Sequence, residues 1–353
     1  MPKYFGTDGV RGVAGEFITE TLAYKIGRYI GQYPNGHKNK ILIARDTRIS
    51  GQALAESVGA GAVASGSDVY NIGVSTTPSV SYLVRKNKFD YGVMISASHN
   101  PYYDNGIKIF NAEGEKLEAS IEELIEGYID SPVDNLPMMK NQNIGRYCPV
   151  DDLIPSYIDF ICSKASPKVK GMKVYIDCSN GSASAIAPIV LKKLGVEATF
   201  VANKPNGINI NDRCGSTKIA NNSEAVAKGD YDVAFAFDGD ADRCLAMSND
   251  GKVVDGDALI YLNAMYLKKL GKLNDNVVVI TVMSNLGLKK ALAANNVLIH
   301  ETKVGDKYVQ TDMKENNLSI GGEQSGHIIF LEDLNTGDGL LTMVHTLNVL
   351  AEE

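Results

Sequence analysis

VMISASHNPYYDNGIKIF, residues 93–110, begins as a buried strand and then stops being one. Val93, Met94 and Ile95 give way to Ser96, Ala97, Ser98, His99, Asn100 and Pro101; after Asp104, Asn105 and Gly106 a short apolar run carries Lys108. Residues 91–95 therefore read as a strand that ends in a polar loop, held by a proline and an Asn-Gly turn. Working outward, residues 40–44 (KILIA) and 68–74 are strands, and 52–65 and 77–86 have helical character. This βαβαβ rhythm implies right-handed crossovers and a largely parallel sheet. Ligands on such sheets bind beyond the carboxyl ends of the strands, which is where Ser98 falls.

Residues 131–150 are polar, carry two prolines before their end and show little periodicity, so the first domain is expected to span 1–150 and to carry the Ser98 loop. A second α/β domain, 151–254, has strands at 173–176, 198–201 and 233–237 and a helix at 183–194. A third, 255–353, has helices at 258–270, 286–294 and 339–351 and strands at 277–282, 297–300 and 328–330. The expected class is thus α/β: three tandem α/β domains with mixed, largely parallel sheets around a shared active-site cleft. No close sequence repeat is visible. Each domain nevertheless ends a strand with a polar loop: SASHNP, DGDADR and GGEQSGH. The last residues, AEE, close a helix with no glycine or proline stop, which reads as the interior of a longer protein.

The 353 residues are too many for one ordinary core, and a composition 44% hydrophobic and 22% charged belongs to a globular protein. Forty-two acidic against 35 basic residues give −7, which argues against nucleic acid as a partner. No run of about 18 apolar residues suggests a membrane span, and the first residues lack a signal core. Five scattered cysteines, with no CxxC pair, read as reduced thiols and small core hydrophobes in a cytoplasm.

In VAFAFDGDADR (233–243) a strand runs into Asp238, Asp240 and Asp242, separated by Gly239 and Ala241. Three alternating carboxylates on a tight loop repel one another, and a hard divalent cation, Mg²⁺ or Ca²⁺, is the natural remedy. The calcium-loop pattern fails, because its sixth and twelfth positions are Arg243 and Asn249. An aspartyl phosphatase, which also follows a strand with D-x-D, is the main rival, and a solvated acidic turn the bland one. Mg²⁺ completes its shell with phosphate oxygens or water, and Ser98, beside His99 and Asn100, suits a phosphate carrier. By itself the Ser98 loop is equally ordinary turn chemistry; paired with DGDADR and Lys108 it points to phosphate.

In GGEQSGH (321–327) Glu323, Ser325 and His327 alternate, so an extended segment would put all three on one face, suited to polyol hydroxyls. A Gly-rich turn explains the same residues. The opening GTDGVRG is not the dinucleotide fingerprint and no strand precedes it; its Arg11 sits in a flexible loop suited to bringing a guanidinium against phosphate. His37 reads as a turn residue, and His300 and His345 as structural or surface groups.

Together these segments resemble the α-D-phosphohexomutase superfamily, and within it the glucosamine branch. Six motifs occur in order: KYFGTDGVRG, ISASHNPYYDNGIKIF, NINDRCGST (209–217), FDGDADR, KVGDKYV (303–309) and GGEQSGH. The resemblance implies a phosphosugar mutase, an isomerase that interconverts glucosamine 6-phosphate and glucosamine 1-phosphate through glucosamine 1,6-bisphosphate, on the route to UDP-N-acetylglucosamine and cell-wall precursors. It implies a catalytic phosphate on Ser98, and one Mg²⁺ held by that phosphate with Asp238, Asp240 and Asp242. Arg11, His99, Lys108 and Arg243 would surround the phosphoryl group, with Lys108 a candidate acid–base. Glu323 and Ser325 would grip sugar hydroxyls, Gly305 and Asp306 would belong to a further sugar-side loop, and His327 would lie near the reacting end. The family also suggests a homodimer through the first domain. Its fourth, phosphate-clamping domain has no counterpart in these residues, so weakened substrate binding is expected. Phosphoglucomutase or phosphomannomutase activity, the aspartyl phosphatase and a non-enzymatic sugar-phosphate sensor are the competing expectations.

Overall fold

The computed structural model describes residues 3–6, 8–32 and 38–352. His37 lies outside them. The chain forms two compact units, one of Met1–Tyr157 with Pro205–Ile210 and the other of Ile158–Lys204 with Asn211–Glu353.

The first unit contains β1 (Phe5–Gly6), β2 (Gly9–Val13), α1 (Glu20–Gln32), β3 (Lys40–Arg45), α2 (Gly51–Ala64), β4 (Asp68–Val74), α3 (Thr77–Asn87), β5 (Tyr91–Ile95), β6 (Asp104–Phe110), α4 (Ala119–Asp130) and β7 (Tyr147–Pro149). Its seven strands run in the order β1-β2-β6-β5-β3-β4-β7. The β5–β3–β4–β7 part is parallel, whereas β1, β2, β6 and β5 pair antiparallel. Ile41, Ile43, Val93, Ile95 and Ile107 form one apolar cluster with Ile26 of α1, Val58 of α2 and Ile125 of α4. Local signals set the helix ends: Thr76 caps α3 by accepting from Ser79 N–H, Pro78 sits in the first turn, and Lys88 closes it in the left-handed conformation.

Two sequence expectations change here. Arg11 lies on β2, not in a loop, opposite Gly106 of β6. GVRGV has too little apolar pattern to announce a strand, and its pairing with β6, nearly a hundred residues away, creates it. The polar stretch 131–150 ends in β7, which extends the first sheet beside β4.

After α5 (Ile154–Ser163), the second unit contains β8 (Lys173–Asp177), α6 (Ala183–Leu194), β9 (Glu197–Val201), α7 (Ser223–Lys228), β10 (Val233–Phe237), β11 (Cys244–Ser248) and β12 (Val253–Val254). There follow α8 (Gly256–Lys269), β13 (Val277–Thr281), α9 (Leu286–Ala294), β14 (Leu298–Thr302), α10 (Asp306–Glu315), β15 (Ile320–Gly322), β16 (Ile328–Phe330) and α11 (Gly339–Leu350). Two sheets result, β12-β11-β10-β8-β9 and β14-β13-β15-β16. The stretches 151–254 and 255–353 thus keep separate sheets. Backbone hydrogen bonds join them into one unit, from Cys244 N–H to Gly326, Gly256 N–H to Gln324 and Gly339 N–H to Ala241.

All three sheets combine parallel strands with an antiparallel hairpin, and the hairpins β5–β6, β10–β11 and β15–β16 carry the three polar loops at their tips. Among the described residues no helix is long and apolar enough to cross a membrane.

Candidate active site

In the first unit the β5–β6 hairpin pairs Ile95 with Ile107, and the chain between them turns out of the sheet. Ser98 has a left-handed backbone, φ 53°, a conformation that costs a non-glycine residue about 1–2 kcal/mol. Its N–H donates to Ser96 Oγ at 2.9 Å, and Asn100 N–H closes a turn on Ala97 at 3.1 Å. Ser98 Oγ lies 3.4 Å from His99 Nδ1. Pro101 and Asp104 shape the return, and Asn100 Nδ2 donates to Asp104 at 2.9 Å.

Two groups in this unit were not legible beforehand. Arg48, fully buried, donates from Nη2 to the carbonyls of Ser98 (3.1 Å) and Asn100 (2.6 Å), and pairs with buried Asp46 through Nη1. Asp8 gathers three cations: it pairs with Arg11, and lies 3.1 Å from Lys108 Nζ and 2.6 Å from Lys116 Nζ. Burial pushes the Asp8 carboxyl up, but Lys108, Lys116 and Arg11 outweigh it and hold it well below the usual carboxylate range. Lys108 points from β6 and is itself 1% exposed. Asp8 thus holds three cations together, and a cluster of this kind can stabilise an anionic group.

In the second unit β10 pairs with β11 through Phe237 and Cys244, so residues 238–243 form the hairpin tip. Asp238, Asp240 and Asp242 are buried, and their ligand oxygens lie within 4.8 Å of one another. Three hard oxygen donors held that closely, out of water, fit a divalent hard cation and little else. The loop backbone holds them there: Ala241 takes φ 56°, and Arg243 N–H donates to Asp238 Oδ1 at 3.2 Å. The start of α11 lies against the loop, where Gly339 N–H donates to Ala241 at 3.0 Å. Gly339 is required for that approach, since a Cβ there would stand 2.6 Å from the Arg243 carbonyl oxygen.

The β15–β16 tip is a turn, so of the two readings left open, extended segment and Gly-rich turn, the turn holds. Gly326 N–H donates to Glu323 O and Glu323 N–H to His327 O, with Gly326 at φ 92°. Glu323, Ser325 and His327 therefore do not share one extended face. Glu323 Oε1 accepts the N–H of Gly305 at 3.0 Å, and Gly305 with Asp306 opens α10. Ser325 Oγ is buried and finds no hydrogen-bond partner among the described residues.

His327 is buried beside the acidic loop. Its Nε2 accepts the N–H of Gly337 at 3.1 Å, and Nδ1 lies 3.9 Å from Asp242 Oδ2. An acceptor Nε2 leaves the neutral ring's proton on Nδ1, the nitrogen turned to Asp242. Asp306 Oδ2 lies 3.7 Å from Nε2. His300 and His345 serve structure: His300 pairs with Asp312 at 2.8 Å, and His345 with Asp333 at 2.7 Å while stacking on Phe330. Burial pushes the Cys178 thiol above its usual range and Cys214 up to about 12, which disfavours the thiolate of both.

Family models described as phosphoglucomutase/phosphomannomutase, alpha/beta/alpha domains I, II and III match residues 2–134, 155–251 and 255–353. The phosphoglucosamine mutase of Lachnoclostridium phytofermentans is 48% identical over 354 residues, which cover 100% of this chain and 79% of that protein. That of Desulforamulus reducens is 47% identical over 355 residues, 100% and 80% of the two. A phosphoglucomutase/phosphomannomutase family protein of known structure from Burkholderia thailandensis superposes with TM-score 0.85 at 23% identity, over 100% of this chain and 78% of the other. The N-acetylphosphoglucosamine mutase of Aspergillus fumigatus, solved with GlcNAc-6P and magnesium, gives 0.68 at 16% identity, over 100% and 78%. These two structures share the fold.

Proposed function

The chain belongs to the phosphoglucomutase/phosphomannomutase family and is a phosphosugar mutase, and from that premise we propose that it interconverts glucosamine 6-phosphate and glucosamine 1-phosphate, with Ser98 as the phosphoryl carrier and Asp238, Asp240 and Asp242 as ligands of Mg²⁺. The sugar rests on the two relatives, both phosphoglucosamine mutases. The metal rests on one observation, the three buried aspartates with ligand oxygens within 4.8 Å.

In the first unit Ser98 carries the phosphoryl group on a preset loop, with His99 at its side, while Asp8 fixes Arg11 and Lys108 as the cations that serve it. The Ser98 Oγ–P bond breaks as a sugar O–P bond forms, giving the hexosamine 1,6-bisphosphate. One proton leaves the sugar hydroxyl and one reaches Ser98 Oγ; Lys108 is the residue proposed to pass it. The other phosphate then returns to Ser98, so phosphorylation is conserved over the cycle. In the second unit, Asp238, Asp240 and Asp242 would hold Mg²⁺, which when bound would supply a hard cation for phosphate oxygens. Arg243 adds a guanidinium, Glu323 and Ser325 take sugar hydroxyls from a loop that Gly305 braces, and His327 orients Asp242. Positioning and charge neutralisation together are what phosphoryl transfer requires of a protein.

The test is phosphorus NMR of glucosamine 6-phosphate incubated with the protein, Mg²⁺ and a trace of the 1,6-bisphosphate. Growth of the 1-phosphate signal without inorganic phosphate supports the reading; net release of inorganic phosphate overturns it.

A further inference from the structure

Building on that reading, we propose that Arg48, held by Asp46, is a positioning residue that fixes Ser98 for phosphoryl transfer. Asp46 is anchored at the end of β3, where its N–H donates to the Ile95 carbonyl at 3.0 Å, one residue before the serine loop begins. Its carboxylate accepts Arg48 N–H at 2.9 Å and pairs with Arg48 Nη1. The guanidinium is thereby turned so that Nη2 alone reaches two carbonyls of the neighbouring loop, Ser98 and Asn100. Both charged groups are buried, Asp46 at 0% and Arg48 at 1% exposure.

A buried ion pair is a poor source of stability, because the desolvation of both charges consumes most of what their attraction returns. An apolar pair of the same volume would hold β3 to α2 equally well. What it could not do is grip two carbonyls that belong to a left-handed turn. Ser98, at φ 53°, and Asn100 two residues on lie in the loop between the paired residues Ile95 and Ile107, and the carbonyls of both accept from Arg48 Nη2. The planar fork of arginine spans both while its other arm is neutralised, a geometry that lysine meets only in part. The clamp acts on the backbone of the residue whose Oγ is to react, so its loss frees Ser98 to relax toward an ordinary conformation and carry the hydroxyl away from its required direction.

The experiment loads Ser98 from glucosamine 1,6-bisphosphate with Mg²⁺ and follows the phosphorylated chain by intact mass, in the wild type and in Arg48→Met, Arg48→Lys and Asp46→Asn. The rate constant at saturating bisphosphate should fall about 10-fold or more in Arg48→Met, since small misplacements of a reacting atom have effects of that order. The half-saturating concentration should stay near wild type, the Tm should fall because buried Asp46 loses its partner, and Arg48→Lys should recover part of the rate. A purely structural role gives the same fall in Tm and a smaller reactive fraction, but with the rate constant of the folded fraction unchanged, and overturns the proposal. If Arg48→Met does not fold, Arg48→Lys and Asp46→Asn decide, and wild-type rates in both overturn it. A wild-type chain that takes up no phosphate breaks the mutase reading itself, a result distinct from variants that load as fast as a competent wild type.

Discussion

Lys108 Nζ sits 3.1 Å from Asp8 Oδ2, and Asp8 also holds Arg11 and Lys116. One carboxylate keeps three mutually repelling cations together. Asp8→Asn removes a charge that offsets all three, so Lys108 and Arg11 should separate and mutase turnover should fall, by about 10-fold or more. Stability should report the same group. The folded carboxyl is held below its unfolded value of about 3.9, so its contribution is present above that value and disappears as pH falls through the folded one. Urea melts between neutral pH and pH 3 should show the wild type losing stability at the acid end more steeply than Asp8→Asn. Parallel curves would remove the argument.

Arg28 shows what a purely architectural arginine looks like. It is fully buried, pairs with Asp134 at 3.0 Å, and donates to Ser65 Oγ and to the carbonyls of Leu136 and Pro137. Arg28→Ala strands those acceptors and should cost about 3 kcal/mol of unfolding free energy. Thermal melts should show the loss while Mg²⁺ affinity, read by calorimetry, stays at the wild-type value.

The acidic loop trades stability for function. With no cation bound, three buried carboxylates within 4.8 Å repel one another. Asp240→Asn should therefore raise the Tm of metal-free protein and abolish the rise that Mg²⁺ gives the wild type. The stabilisation behind that rise should amount to about 2.7 kcal/mol at a hundredfold excess over Kd. A wild type whose Tm ignores Mg²⁺ would refute the metal assignment.

Gly337 offers an independent handle on the same loop. A Cβ there would stand 2.5 Å from His327 Nε2, so Gly337→Ala must displace the ring that faces Asp242. Outer partners of metal ligands typically contribute 10–100-fold in affinity. Titration should find Mg²⁺ bound about 10-fold more weakly in Gly337→Ala; unchanged affinity would free His327 from any part in the site.

The hairpin tips were readable because each follows a saturated apolar strand, Tyr91–Ile95 and Val233–Phe237 most clearly, and because turn residues punctuate them. The helices Ala183–Leu194 and Leu286–Ala294 fall where their patterns put them. Arg48 and Asp8 escaped notice for a physical reason. Arg48 finds its acceptors 50 residues on and Asp8 finds Lys108 a hundred residues on, distances over which no local periodicity carries information. The alternation in GGEQSGH left an extended face and a turn both open, and Gly326, which permits a left-handed conformation, settles it as a turn. α1, though amphipathic, and β2 were not announced; β2 exists because β6 pairs with it.

The central claim is that a phosphoryl group rides on Ser98 rather than on an aspartate. Peptide mass spectrometry of the chain after incubation with glucosamine 1,6-bisphosphate and Mg²⁺ addresses it directly. The account predicts one phosphoryl group on the peptide that contains Ser98, absent in Ser98→Ala and retained when phosphorylated protein carries Asp238→Asn. An acid-stable phosphate nowhere on the chain, with bisphosphate consumed to inorganic phosphate through Asp238, would contradict it.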